Sequence, residues 1–227
     1  MRLISKTDTL TSSKINAAKK ALEFVKDGMI VGLGSGSTAA KFIELLGEEN
    51  IKITGVPTSV ESENIAKKFG IKIAQPNDVD KIDLAVDGAD EVDENHFLIK
   101  GGGGFLTREK IIDYSAKEFI VIVDNSKLVK NLGENFPVPV EVIPFAWKNV
   151  KRVLENYGET ILRKKDNKIY VTDNGNYILD VHIKPIPNAV KLEQDLNIIP
   201  GVIENGIFTK NISKIIVGKV NSAEILS

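Results

Sequence analysis

What constrains this chain most is an alternation of two patterns along its first 130 residues. Short apolar runs appear at Met29 to Leu33, Ile51 with Ile53, Ile71 to Ala74, Ile82 to Val86 and Ile120 to Val123. Between them, apolar residues recur at helical spacing. Ser12 or Ser13 is placed to cap a helix with Ile15, Ala18, Leu22 and Val25 on one face, stopped by Gly28. Ala39, Phe42, Ile43 and Leu46 mark a second helix, a third ends before Gly70, and a fourth is expected between Thr107 and Lys117. Strands that alternate with helices predict an α/β fold, an open parallel sheet with helices on both faces.

The texture changes at Phe136-Pro137-Val138-Pro139, and Pro144 closes the following Val140 to Ile143 run. We place a domain boundary near residue 131. Beyond it come a helix carrying Trp147, Val150, Val153 and Leu154 and three short strands. Turns are expected at Lys165-Asp166-Asn167 and Asp173-Asn174-Gly175. A helix near Ala189 to Leu196 and a strand near Val202 to Phe208 complete the segment, and Ile215 to Gly218 returns to the first sheet. The expected architecture is a Rossmann-like domain of residues 1–130 and 209–227, with a smaller α+β, ferredoxin-like domain of residues 131–208.

Charge and composition narrow the partners. The 30 basic and 31 acidic residues nearly cancel, so no global field draws in nucleic acid or an anionic membrane. The chain has no cysteine, which removes disulfides, thiol catalysis and the common zinc motifs. Met1 to Thr11 lacks the apolar core of a signal peptide, and no apolar run approaches a bilayer span. A cytoplasmic protein is expected, with a small-molecule ligand and no bound metal.

Open parallel sheets bind ligands beyond the carboxyl ends of their strands, so the residues after each run are the informative ones. Gly34-Ser35-Gly36-Ser37-Thr38 joins a strand to a helix with small residues only. Backbone amides and the positive helix end there suit an anion such as phosphate, and the hydroxyls add donors; a tight glycine turn is the plainer alternative. The loop lacks the last glycine of a dinucleotide fingerprint, and Gly55, Val56 and Pro57 stand where an acidic residue would close it, which argues against NAD. Thr107-Arg108 follows the later glycine run without the lysine of a phosphate-binding loop, which argues against ATP.

Asp87-Gly88-Ala89-Asp90-Glu91-Val92-Asp93 puts four carboxylates directly after a buried run. A solvated acidic loop or a magnesium site are alternatives, but Gly88 and Ala89 let a ligand approach closely, and Asp87 and Asp90 can accept hydrogen bonds from sugar hydroxyls. Next, Lys100-Gly101-Gly102-Gly103-Gly104 combines a cation with an array of amides, as an oxyanion site would, or else forms a flexible hairpin tip. Glu109, in Thr107-Arg108-Glu109-Lys110, opens the next helix, where a glutamate alone is most often a cap; its place just after the glycines favours a catalytic reading. Lys127 and Lys14 are weaker candidates, surface residues unless a phosphate lies nearby. His96 and His182 read as structural or exposed.

Taken in order, these four stretches resemble the signature of ribose-5-phosphate isomerase, type A. Phe136 to Pro144, Val171-Thr172-Asp173-Asn174-Gly175-Asn176 and Ile199-Pro200-Gly201-Val202 also resemble that family, so the similarity spans nearly the whole chain. The resemblance implies that Glu109 is the catalytic base and that Ser35 to Thr38, Asp87 to Asp90, Lys100 to Gly103 and Lys127 line the substrate site. Ser35 stands where threonine is common and Gly104 where alanine is also familiar, and neither change is expected to alter function. A homodimer or homotetramer is implied as well.

The chemistry fits these residues. Aldose–ketose interconversion moves one hydrogen between C2 and C1 without net oxidation, so no redox cofactor is required. Through a cis-enediolate, one carboxylate removes the proton and returns it one carbon away. Lys100 and the glycine amides would stabilise the charge that builds on oxygen. Asp87 or Asp90 would hold hydroxyls, with ring opening or proton movement between O1 and O2 open to either, and Ser35 to Thr38 with Lys14 or Lys127 would anchor the phosphate. Two other readings compete: a coenzyme A transferase-like enzyme with a nucleophilic glutamate, for which the chain is short, and a sugar-phosphate-sensing domain, which would not need Glu109 and before which no helix-turn-helix precedes residue 12.

Overall fold

A computed structural model of the chain describes residues 6–226. Residues 1–5 and 227, which the expected first domain includes and the signal-peptide reading partly rests on, lie outside the described residues. In chain order the elements are α1 (Lys6–Leu22), β1 (Ile30–Leu33), α2 (Ser37–Glu48), β2 (Thr54–Pro57), α3 (Val60–Lys68), β3 (Lys72–Ile73), β4 (Ile82–Asp87), β5 (Glu91–Val92), β6 (Leu98–Ile99) and α4 (Leu106–Ser115). They continue with β7 (Ala116–Asp124), β8 (Val138–Val142), α5 (Trp147–Leu154), β9 (Glu159–Leu162), β10 (Lys164–Lys165), β11 (Lys168–Ile169) and β12 (Tyr177–His182). The last are α6 (Ala189–Asn197), β13 (Val202–Asn205), β14 (Ile207–Phe208), β15 (Ile212–Gly218) and β16 (Ala223–Leu226). No described helix is long and apolar enough to cross a membrane.

The chain divides into two compact units. One holds the chain up to Gly88, Ile111–Lys127 and the residues from Asn211 onward; the other holds Ala89–Lys110 and Leu128–Lys210. This partition differs from the expected one mainly in residues 89–110. They go with the second unit because β5 and β6 pair with each other and β6 pairs with β14, in a three-stranded sheet of its own.

In the first unit, seven strands run in the order β16-β15-β7-β4-β1-β2-β3. All neighbours are parallel except the edge pair β15 and β16. The alternation of side chains explains how both faces are covered. Val31, Leu33, Leu84, Val86, Ile120 and Ile122 share one core with Ala17, Ala21, Phe42, Ile43 and Ala66 from α1, α2 and α3. Gly32 points the other way, where an added Cβ would lie 2.6 Å from Ile112 Cγ2, so Ile112 packs on the opposite face at a position only glycine fits. The antiparallel β16 was not expected; it returns through a turn closed by Lys219 N–H donating to the Ser222 carbonyl at 2.7 Å. At the other end of β4, Asp83 accepts from Ile30 N–H at 3.1 Å and pairs with Lys81 at 3.0 Å; the backbone donor first and Lys81 next hold its carboxyl below the usual carboxylate value.

Local departures have local causes. Ser13 does not cap α1, which starts earlier; its hydroxyl donates to the Thr9 carbonyl one turn back at 3.0 Å. The strand expected at Ile51 to Ile53 is β2, which takes Gly55, Val56 and Pro57 instead and ends where Ser59 caps α3.

In the second unit, β8-α5-β9-β12-α6-β13 forms a four-stranded antiparallel sheet in the order β13-β8-β12-β9, which is the ferredoxin-like βαββαβ topology. Val138, Val140, Val142, Val150, Leu154, Leu179, Val181 and Leu196 make its core. The hairpin β10–β11 turns at Asp166 and Asn167, both with positive φ (52° and 60°), as a two-residue hairpin turn of the primed type demands. The single strand expected over Val202 to Phe208 is two strands in two sheets, broken at Gly206. Gly206 N–H donates to the Pro139 carbonyl at 2.8 Å while its own carbonyl accepts from Lys100 N–H at 2.9 Å. A Cβ at 206 would come within 2.3 Å of the Lys100 oxygen, so no side chain fits there.

Candidate active site

The first unit gathers its candidates at the carboxyl ends of β4, β1 and β2. The sheet order reverses between β1 and β4, and such a switch point opens a crevice beyond the strand ends. Gly34 follows β1 so closely against Asp87 at the end of β4 that an added Cβ would lie 2.3 Å from the carboxylate. Asp87 is fully buried, and its Oδ1 accepts from Ser35 N–H at 3.0 Å and Gly88 N–H at 2.6 Å. The aspartate therefore shapes the small-residue loop as well as facing its end. Gly36, at φ 85°, precedes α2, and no side chain caps the first turn of that helix. Lys14 Nζ donates to Ser37 Oγ at 2.9 Å. A cation, an exposed hydroxyl and an uncapped helix start thus meet at one place, a combination suited to an anion.

Ser35 behaves differently from the expectation. Its hydroxyl is buried, within 2.7 Å of both Thr58 Oγ1 and Ser59 Oγ, so it braces the ends of β1 and β2. Thr58 and Ser59 directly follow β2, and hydroxyl residues in that position are the signal available in the sequence. Lys127 closes a short 3-10 turn after β7, half-buried, near Asp124, whose carboxylate accepts from Ser126 N–H at 2.9 Å.

The second unit holds Ala89, Asp90, the glycine run and Glu109. The acidic stretch is therefore divided, with Asp87 and Gly88 in one unit and Ala89 and Asp90 in the other. Asp90 Oδ2 accepts from Gly102 N–H at 2.7 Å, and Gly104 N–H donates to the Gly101 carbonyl at 2.9 Å. Two of the amides expected as oxyanion donors are thus engaged inside the loop. Arg163 donates to the carbonyls of Gly101 at 2.8 Å and Gly102 at 3.1 Å, and Tyr170 Oη donates to the Gly103 carbonyl at 2.9 Å. The run is a braced loop with an exposed tip at Gly102 and Gly103, not a loose hairpin. No change of function is expected of alanine at 104, but two features bear on its stability. Gly104 has φ 86°, and a Cβ there would lie 2.4 Å from the Tyr170 ring. We expect Gly104→Ala to destabilise the protein by about 1–2 kcal/mol, read from the urea midpoint; an unmoved midpoint would contradict this account of the loop.

Glu109, in the first turn of α4, lies buried beside Lys100, with Lys100 Nζ 3.6 Å from Glu109 Oε1. Burying an ion pair removes two charges from water at considerable cost, and stability alone seldom calls for it. Lys100 is fixed at its backbone by Gly206 and lies over the Phe208 ring at 5.4 Å. The next helical residue, Lys110, lies over the same ring at 4.8 Å and is held by Glu193 at 3.1 Å and Glu204 at 2.9 Å. Phe208, Glu193 and Glu204 were invisible to sequence reasoning because they arrive from residues about 85–100 positions further on. His96 sits in a turn with φ 65°, and His182 is exposed at the end of β12. Among the described residues, no three His, Cys, Asp or Glu side chains are grouped to hold a metal.

Comparison with known proteins shows the family of the chain. The model of the family ribose 5-phosphate isomerase A (phosphoriboisomerase A) matches residues 54–222. The ribose-5-phosphate isomerase A of Methanococcus aeolicus is 53% identical over 221 residues, 94% of this chain and 94% of that protein. That of Methanocaldococcus jannaschii is 52% identical over 221 residues, 94% of this chain and 96% of that protein. The solved structure of ribose 5-phosphate isomerase A from Methanocaldococcus jannaschii superposes with a TM-score of 0.90 at 50% identity, covering 94% of this chain and 97% of that one. A D-ribose-5-phosphate isomerase in complex with phospho-erythronic acid gives 0.92 at 48% identity, covering 96% and 99%. Agreement of this extent, in sequence and in fold, means that the chain belongs to the ribose 5-phosphate isomerase A family.

Proposed function

We propose that this chain interconverts D-ribose 5-phosphate and D-ribulose 5-phosphate, with Glu109 as the base. The observation that carries the reading is the buried Lys100–Glu109 pair at 3.6 Å, beside a braced glycine loop. A carboxylate held there takes the proton from C2 of the open-chain aldose and returns it to C1 of the enediolate, so one group performs both transfers. The electron pair of the broken C–H bond forms the C1–C2 double bond as the carbonyl pair moves onto O1, the Lys100 ammonium stabilises that oxygen as it becomes negative, and passage of the O2 proton to O1 completes the ketose. Asp87 and Asp90, each with one oxygen committed to backbone N–H groups, keep their loops in shape and hold sugar hydroxyls. Lys14, Ser37 and the start of α2 suit the phosphate, with Lys127 as a further cation. The related isomerase whose structure is solved in complex with phospho-erythronic acid, an acid analogue of a sugar phosphate, supports a substrate of this class. A homodimer or homotetramer is part of the same proposal.

The deciding assay follows ribulose 5-phosphate formation from ribose 5-phosphate with a chelator present, and in parallel acyl transfer to coenzyme A. Isomerisation that persists in the chelator is the expected result. Acyl transfer without isomerisation would favour the transferase reading, and tight sugar-phosphate binding without turnover would favour a sensor.

A further inference from the structure

Glu141 stands in the middle of β8, between two valines of the core, and is fully buried on the other face of that strand. Its Oε1 accepts from Thr172 Oγ1 at 2.8 Å, Asn176 Nδ2 at 2.9 Å and Asn174 Nδ2 at 3.2 Å, and its Oε2 accepts from Thr107 Oγ1 at 2.5 Å. A carboxylate offers about four lone-pair sites, and these neutral donors engage both oxygens, three converging on Oε1 and Thr107 holding Oε2. A buried charge satisfied this fully holds its donors in one arrangement, because releasing any of them leaves part of the carboxylate desolvated.

Thr107 lies two residues before Glu109 in the first turn of α4. Arg108, between them, donates through Nε to Asn174 Oδ1 at 2.8 Å and through Nη2 to the Asp173 carbonyl at 3.0 Å. Asn174 therefore joins the two attachments, since one end of its amide serves Glu141 and the other serves Arg108. The two residues leading into the carboxylate are tied to a single cluster, and the Val171 to Asn176 turn exists in this form because Glu141 organises it.

We propose that Glu141 is a positioning residue for the isomerisation: through Thr107 it fixes the first turn of α4 and thereby the reach of Glu109, a role that rests on Glu109 being the base. Glu141 touches no reacting atom, so its loss acts on geometry. Misplacing a reacting group by about 1 Å can remove about 10²-fold of rate.

Three variants and one reference test this by steady-state kinetics on ribose 5-phosphate. Glu141→Gln keeps the shape but turns one acceptor into a donor that faces donors. Thr107→Val removes the one hydroxyl, and Thr107→Ser restores it. We expect Glu141→Gln and Thr107→Val each to lose about 10- to 100-fold in kcat with KM within about threefold, and Thr107→Ser to return near the parent value. Combining Glu141→Gln with Thr107→Val should add little further loss, since both act on one contact. Parent kcat in folded Thr107→Val, with only a lower melting temperature, would overturn the proposal, and that variant decides alone if Glu141→Gln does not fold. Glu109→Gln is the reference. If it retains turnover, the base assignment fails and this inference with it; if it loses turnover while Thr107→Val and Glu141→Gln keep theirs, only the positioning role fails.

Discussion

Glu109→Gln is expected to fold, to bind ribose 5-phosphate and to lose about 10²- to 10⁴-fold in kcat, the contribution usual for a positioned general base. Glutamine fills the same buried volume beside Lys100 and still accepts a hydrogen bond, but its amide cannot carry a proton between two carbons. The loss should therefore appear in kcat, with KM little changed. Substrate binding measured by calorimetry separates this outcome from misfolding. A direct check of the chemistry is exchange of the C2 hydrogen with solvent deuterium, which should vanish with turnover. Near-normal turnover in a folded Glu109→Gln protein would refute the assignment.

Replacing Lys100 should lower kcat by about 10²- to 10³-fold, the range seen when a preorganised donor to a developing oxyanion is removed. Lys100→Ala tests this, and Lys100→Met tests it with most of the buried volume retained. Both variants also take the ammonium away from a buried carboxylate, and breaking a buried pair on one side destabilises by about 3–5 kcal/mol. Stability and rate can be disentangled by a second substitution. In Lys100→Met with Glu109→Gln, neither charge remains, so the melting temperature should recover toward the parent while turnover stays absent. An unchanged kcat in Lys100→Ala would remove the lysine as the stabiliser of negative charge, whatever its effect on melting.

The elements with strong periodicity were legible before the structure. Val31 and Leu33, Leu84 and Val86, and Ile120 and Ile122 lie on one face of a parallel sheet because runs buried on both faces have few other solutions. The loops at their ends were legible for the same reason, since small residues after a strand leave room for a ligand. What escaped notice were contacts made by short or distant pieces. β5, β6 and β14 have two residues each, too few to show a period, and their pairing moved residues 89–110 into the second unit. Ser35 looked like a ligand donor because its neighbours Thr58 and Ser59 come from another strand end. Glu141 stood inside a motif that attracted attention only by likeness, since no local pattern announces a carboxylate with donors 31 to 35 residues away on each side.

One feature of the seven-stranded sheet bears on how the molecule is made. β7 pairs on one side with β15, and helix α1 packs against both of these strands. The partner that covers this side of β7 is thus encoded some ninety residues later. During synthesis, the helix and β7 emerge while that side of the sheet is still an open row of amides and carbonyls. By then the run from Val138 to Asn205 is the next to leave the ribosome, and it contains every strand of its own four-stranded sheet. The ferredoxin-like unit can therefore mature as it appears, whereas the larger sheet must wait, incomplete and with an open edge, for strands translated after it.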